Sequence, residues 1–328
     1  MAYHSTSGIA TNTADLLVAL KNFLVDTVGW TLHDDGSSDT DPYYVFKSYG
    51  ETGSEDIYLR YIDDSGSNRI FVEAYQYWNA STHTGLNVAS NWTYTCVKTL
   101  DSSQFIYWLY GDLDHLFVVT KISSSYYGQY AGLINRFWSG AVALTQSAVS
   151  PGSDVVIPVS DASILQEAYY YLIKDDGGIG RIQVSSRDTV STPNTITVYT
   201  LGQSFGAGAK IGEDPQPVIT GYYNSPSSFY AVNRYDGSTL NGGFTGRCGA
   251  ANGGLQGDCD PEFRYGRTVL FPWLVSHNAP DNQELRGELI EVYSIGSGNV
   301  DVEDTLEIGS DTYKVFNLNG PGWCAVKE

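Results

Sequence analysis

Between Thr13 and Val28 the apolar residues Leu16, Leu17, Leu20, Phe23, Leu24 and Val28 recur at spacings of one, three and four, which gathers them on one face of a helix. Thr13 is placed to cap its N-terminus, Asp15 suits the positive end of the dipole, and Gly29 can supply the left-handed residue that ends it. After Trp30 the period changes to two. Tyr44–Ser48, Ile57–Ile62, Ile70–Trp78, Phe105–Tyr110 and Leu116–Ile122 read as strands. In Ile57–Ile62 the residues Ile57, Leu59 and Tyr61 share one face and Tyr58 and Arg60 the other, the pattern of a strand with one buried side.

The connections ETGSED, DDSGSN and GDLD are short and rich in turn formers, so neighbouring strands fold back antiparallel; a parallel crossover needs a dozen or more residues. The hexapeptide Glu51–Asp56, with Glu51, Glu55 and Asp56, then reads as a hairpin tip rather than a ligand loop. Residues 1–145 are expected to form a helix plus an antiparallel sheet. Residues 146–270 form a loop-rich β section, an insertion or subdomain, with strands expected at Val155–Val159, Ile179–Val184, Thr195–Leu201 and Pro217–Tyr223. Between Ser163 and Lys174 the apolar spacing fits a helix and the Tyr-Tyr-Tyr run a strand, and both stay open. Residues 271–328 carry strands at Glu288–Ser294 and Thr305–Leu318, the latter broken at Gly309–Asp311, and are expected to pack with the first domain. The fold class is α+β, mainly β: an N-terminal helix packed on an antiparallel sheet, then a β-rich, loop-rich second part. No repeat of solenoid or propeller length shows.

Composition supports that class. In 328 residues there are 25 Tyr, 12 Phe, 7 Trp and 35 Gly but one Met, a bias toward strands and turns. Thirty-seven acidic against 18 basic residues give a formal charge of -19, which repels phosphate backbones and anionic lipid, so no nucleic-acid partner is expected. The N-terminus lacks the pattern of a secretory signal and no apolar run approaches a membrane span, so the chain reads as made in the cytoplasm without membrane insertion.

Candidate chemistry is sparse. Gly202-Gln-Ser204-Phe-Gly206 matches the nucleophile elbow after an expected strand, but Gly208, Gly212, Pro215 and Pro217 leave no room for the helix an elbow requires, and nothing places His277 near Ser204. The acidic clusters Asp34–Asp41, Asp63-Asp64, Asp112–Asp114, Asp258–Asp260 and Asp301–Asp304 read as solvated turns, with calcium at Asp34–Asp41 a minor alternative lacking the EF-hand glycine. Five scattered histidines and no CxxC spacing argue against zinc, and the absence of a Walker loop or a placed G-x-G-x-x-G against nucleotides. No cofactor, metal or catalytic residue is assigned. Cys248 and Cys259 flank a Gly-rich loop and are candidates for a disulfide in an oxidising medium. Asn79-Ala-Ser81 and Asn91-Trp-Thr93 are formal glycosylation sequons.

Several stretches together resemble a known group. They are the helix entering Gly29-Trp30, then YYVFKSYGETGSEDIYLRY, IFVEAYQYW, SQFIYWLYGDLDHLFVVTKISSSYYGQYAGLINRF, AKIGEDPQPV and RGELIEVYSIGSGNVDVEDTLEIGSDTYKVFNL. They resemble virion structural proteins of tailed bacteriophages, most strongly over residues 13–137 and 285–318. The resemblance implies a tail, baseplate or neck component located in the virion, acting through copies of itself and other virion proteins, and carries no site residues across. Tyr126, Tyr127, Tyr130, Phe137 and Trp138 are the candidate interface residues. A receptor- or glycan-binding module at the tail tip, stacking exposed aromatics on host surface glycan, is the alternative; a polysaccharide-degrading enzyme using an acidic cluster is the next.

Overall fold

The computed structural model describes residues 3–53, 56–89, 95–136, 142–168, 170–175, 178–212, 218–220, 228–232, 239–245, 270–278, 283–295, 300–319 and 322–328. The protein is mainly β with one α-helix among the described residues. Strand β1 (His4–Ala10) comes first, so the helix is not the opening element. The helix α1 spans Thr13–Asn22 and continues as a π-helical segment, Phe23–Val28. Its cap is Asn12, not Thr13: extended backbone at Asn12 (φ -162°) lets its side chain accept from the Asp15 amide at 2.8 Å. Thr13 is instead buried, its hydroxyl 2.8 Å from that of Thr99. Gly29 closes the π segment in the left-handed region (φ 98°), with the amides of Gly29 and Trp30 both donating to the Leu24 carbonyl.

Two compact units divide the chain. The first contains β2 (Thr31–Gly36), β3 (Tyr43–Ser48), β4 (Ile57–Asp64), β5 (Arg69–Asn79), β6 (Thr84–Ala89), β7 (Cys96–Lys98), β8 (Phe105–Gly111), β9 (His115–Ile122), β10 (Ser125–Gly132) and β11 (Ile134–Arg136). The second unit holds β12 (Val142–Leu144), β13 (Gly152–Val159), β14 (Tyr170–Asp175), β15 (Gly178–Asp188), β16 (Asn194–Leu201) and β17 (Lys210–Gly212). The chain then returns to the first unit with β18 (Val218–Thr220), β19 (Ser228–Val232), β20 (Thr239–Thr245), β21 (Leu270–Asn278), β22 (Gln283–Ile295), β23 (Thr305–Ile308), β24 (Asp311–Leu318) and β25 (Gly322–Lys327).

In the first unit, β2 to β6 form an antiparallel meander with β7 added to β5. Strands β3 and β4 pair as the arms of a hairpin whose register sets Ser48 opposite Ile57. A larger sheet runs β1-β8-β9-β10-β18-β19-β20-β21-β22-β25-β24-β23 and bends until Tyr126 of β10 meets Leu318 of β24. One core gathers Leu16, Leu20 and Leu24, the alternate residues Phe46, Leu59, Tyr61 and Val72 of the meander, and Leu109, Leu116 and Val118 of the larger sheet. Odd-numbered residues of β9 face a second core, where Phe117 and Val119 meet Trp108, Phe316 and Val326. With β9 and the Trp108–Gly111 half of β8 buried on both sides, their near-continuous hydrophobic runs are accounted for.

The one-sided burial expected for Ile57–Ile62 is corrected. Tyr58 and Ile62 are buried as well, in an aromatic layer with Tyr43, Phe71, Tyr75 and Trp78. The second unit closes on itself: β12-β17-β14-β15-β16-β13 are paired in that order, and a bridge from Thr145 to Val159 joins the ends. The Gln146 and Ser160 amides, donating to Pro158 and Leu144 carbonyls at 2.8 Å, reinforce the join. The interior of this six-stranded barrel is filled by Ile157, Ile173, Ile182, Val184, Ile196, Val198, Phe205 and Ile211. The open question at Ser163–Lys174 resolves as strand from Tyr170 on, after turns at 163–168: β14 is paired on both sides, by β15 and β17, which a helix could not be.

Candidate functional site

Two buried polar constellations stand out, both in the first unit. The first is built on the turn Gly111-Asp112-Leu113-Asp114-His115 between β8 and β9. One carboxylate oxygen of Asp112 accepts from the Asp114 amide (2.8 Å), the His115 amide (3.1 Å) and His115 Nδ1 (2.9 Å). Trp30 Nε1 donates to the Asp112 carbonyl at 2.8 Å, and the Glu51 amide donates to Asp114 Oδ1 at 2.8 Å. The hairpin tip and the π-helix exit are thereby tied to one turn. The His115 ring lies stacked on Tyr130 (centroids 5.2 Å, 15°) with Tyr3 on its other contact at 5.8 Å.

Such an aspartate at Nδ1 fixes a histidine tautomer and leaves Nε2 as the basic nitrogen, the logic of a general base. Here His115 is fully buried, and its Nε2, like the hydroxyls of Tyr3 and Tyr110, has no hydrogen-bond partner among the described residues. A base must come within hydrogen-bond reach of a substrate proton, which a sealed ring does not. The pair therefore holds the turn.

Its electrostatics make a pH prediction. Burial raises the Asp112 carboxyl, but the hydrogen bonds and charge of His115 and the two turn amides outweigh it and hold Asp112 below 3.8. Burial, then the neighbouring carboxylates, raise Glu51 above 4.5, and burial raises Asp114 above 3.8 despite the Glu51 amide. Groups with raised folded pKa disfavour folding while ionised, so their protonation on acidification adds stability; depressed Asp112 loses its contribution as pH falls through its own value. The melting temperature is expected to rise from neutral pH toward the Glu51 and Asp114 titrations and to fall at more acidic pH, where Asp112, held below the usual aspartate range, protonates. Asp114→Asn should flatten the rise in a fluorimetric melt series, and an equally large rise in that variant would refute the assignment.

The second constellation lies on the outer face of the β2–β6 meander. Asp34, its side chain 4% exposed, accepts from Trp78 Nε1 (2.7 Å) and His83 Nδ1 (2.9 Å). Arg60 stands over the rings of Tyr43 (4.2 Å) and Trp78 (5.4 Å) and pairs with Glu73 at 3.3 Å, whose carboxylate also accepts from the Tyr75 hydroxyl at 2.6 Å. Beside it Lys47 pairs with Asp56 (3.3 Å) between Tyr49 and Tyr58. Burial pushes the Tyr58 hydroxyl up to about 12 against the opposing pull of Lys47. Cations are thus sandwiched between aromatic faces and answered by carboxylates, an arrangement that rigidifies a sheet face.

The candidates read from sequence are dispersed. Ser204 is exposed in the β16–β17 connection of the barrel and is followed by a turn and β17, not a helix; His277 belongs to β21 of the other unit. Asp34 is taken up by Trp78 and His83, Asp35 caps its own turn through the Ser37 amide, and no group of three metal-ligating side chains converges among the described residues. Asp63 accepts from the Ser65 amide, Asp64 pairs with Arg69, and Asp304 accepts from the Asp301 amide. The Asn79 side chain accepts from the Ser81 amide within its own turn.

Tyr126, Tyr127 and Tyr130, expected at an interface, belong to strand β10, paired with β9 over eight positions. Tyr126 and Tyr130 are 6% and 0% exposed and bonded inside the chain, to Glu303 and to the Leu133 carbonyl; Tyr127 is half-buried. Phe137, Trp138, Cys248, Cys259, Asp258, Asp260, Asn91 and Glu55 lie outside the described residues. Cys96 and Cys324 are buried. Sequence reading missed His115, Trp78 and the role of Arg60; the one available signal was an arginine and a glutamate directly opposite each other on adjacent strands of an aromatic-rich face. No protein-family model matches the chain, and no curated protein matches it in sequence.

Proposed function

We propose that this protein is a structural component of a tailed bacteriophage virion, in the tail, baseplate or neck, working by self-assembly and by docking to other virion proteins. The observation that carries the reading is the way the large sheet ends: among the described residues, the strands at its two extremities, β1 and β23, are paired on one side only. An open edge offers a row of backbone donors and acceptors to another chain. The helix laid over the meander suits the plan of neck and tail-ring proteins, and the sequence resemblance points the same way. Among the described residues Trp30, Trp78, Trp108 and Trp273 are buried, leaving Tyr49 and Tyr199 as the large aromatics more than half exposed, which weighs against sugar stacking as the main activity.

Mass spectrometry and cryo-EM of purified particles test the proposal. The chain is expected at fixed stoichiometry in a tail-associated density. Its absence from intact particles, or hydrolysis of a capsule polysaccharide by the purified protein, would overturn it.

A further inference from the structure

The two ends of the large sheet, each open among the described residues, are unlike. β23 is four residues long, carries Glu307 and follows Glu303 and Asp304, so it is short and negatively charged, two devices that keep edge strands from pairing. β1 has neither. Its seven residues, His-Ser-Thr-Ser-Gly-Ile-Ala, contain no proline, lysine or acid and run in unbroken register against β8 from His4–Gly111 to Ala10–Phe105. Ser5, Thr6 and Ser7 are exposed. Ile9 is 65% exposed and sits directly opposite Ile106, 37% exposed, so an apolar pair stands beside the free edge.

Charge selects the occupant. The strands β1, β8, β9 and β10 contain not one aspartate or glutamate, in a chain with 37 acidic residues and a net charge of -19. Two copies of like net charge repel each other, and these strands bring no carboxylate of their own to a meeting edge. A basic foreign partner would be drawn to acidic surface and finds none on these strands.

We propose that β1 is the docking edge for β1 of a second copy, the two strands pairing antiparallel across a two-fold axis so that the sheets become continuous. Antiparallel pairing of identical edges is self-complementary, as a two-fold dimer requires. The inference stands on the edge itself and holds whether or not the chain is a virion component, so its failure leaves the particle test untouched.

Sedimentation or light scattering on the purified chain at ~100 μM is expected to give twice 35.8 kDa. Ser7→Glu and Ser7→Lys each set like charges across the axis and should weaken the dimer at least roughly tenfold, while both keep the wild-type circular dichroism and melting temperature. Mixing the two variants one to one should restore the dimer mass, because opposite charges then face each other. A wild-type chain that stays at 35.8 kDa, single variants that keep the double mass, a mixture that stays monomeric, or larger species abolished by Glu307→Lys would each overturn the proposal.

Discussion

Gly132→Ala is expected to cost roughly 3–5 kcal/mol, from overpacking and a strained backbone together. Gly132 ends β10 at φ 140°, a region closed to side chains, and an added Cβ would fall within 3.0 Å of the Asp114 carbonyl oxygen and of His115 Cα and Cβ. The obstructing atoms are mostly backbone of the turn that Asp112, Trp30 and Glu51 hold in place, so they cannot swing aside. At roughly 2–4 °C per kcal/mol for a chain of this size, the melting temperature should fall by about 10 °C. Gly53→Ala is the control: its φ is also positive (70°), but nothing lies within 4 Å, so it should show only the strain of about 1 kcal/mol. If calorimetry finds the two substitutions equally mild, the close approach at Gly132 is not what the turn depends on.

The second large effect is expected at the Arg60–Glu73 pair. Glu73→Leu removes the carboxylate that answers Arg60 and accepts from Tyr75, leaving a cation and a hydroxyl under an aromatic layer. Breaking a buried pair costs roughly 3–5 kcal/mol, here discounted to about 3 because the Arg60 side chain is 23% exposed. The double variant Arg60→Met with Glu73→Leu should recover most of the loss, since a well-packed apolar pair replaces both charges. Denaturant titration of both single variants and the double closes the cycle, and simple additivity would show that the two residues do not act as a unit.

The same face shows how far the sequence could be read. Alternation in Ile57–Ile62 identifies the strand, and β4 runs Ile57–Asp64, yet it places Tyr58 and Arg60 on a solvent face when Tyr58 is buried in the aromatic layer and Arg60 lies over the rings of Tyr43 and Trp78. Tyrosine and arginine are ambiguous here, because an apolar body with a polar tip serves a wet face or a buried one equally well. The helix was legible because Leu16, Leu17 and Leu20 are buried as their spacing requires, while the cap moved from Thr13 to Asn12 since the choice depends on how β1 delivers the chain. In the middle section, Val155–Val159, Ile179–Val184 and Thr195–Leu201 all fall within strands, but nothing local announces that Thr145 will meet Val159 and close a barrel.

By itself, then, the sequence determined the strand-rich class, the helix, the hairpin turns and the acidic balance, because each of these depends on residues within a few positions of one another or on composition alone. The tertiary structure decided which polar residues were buried, which sheet closed and which edge stayed open. Those outcomes rest on contacts between distant residues, such as Asp34 with His83 or Trp30 with Asp112, 49 and 82 positions apart. Such contacts form only once loop-closure entropy has been offset by burial elsewhere, and no local pattern encodes that balance.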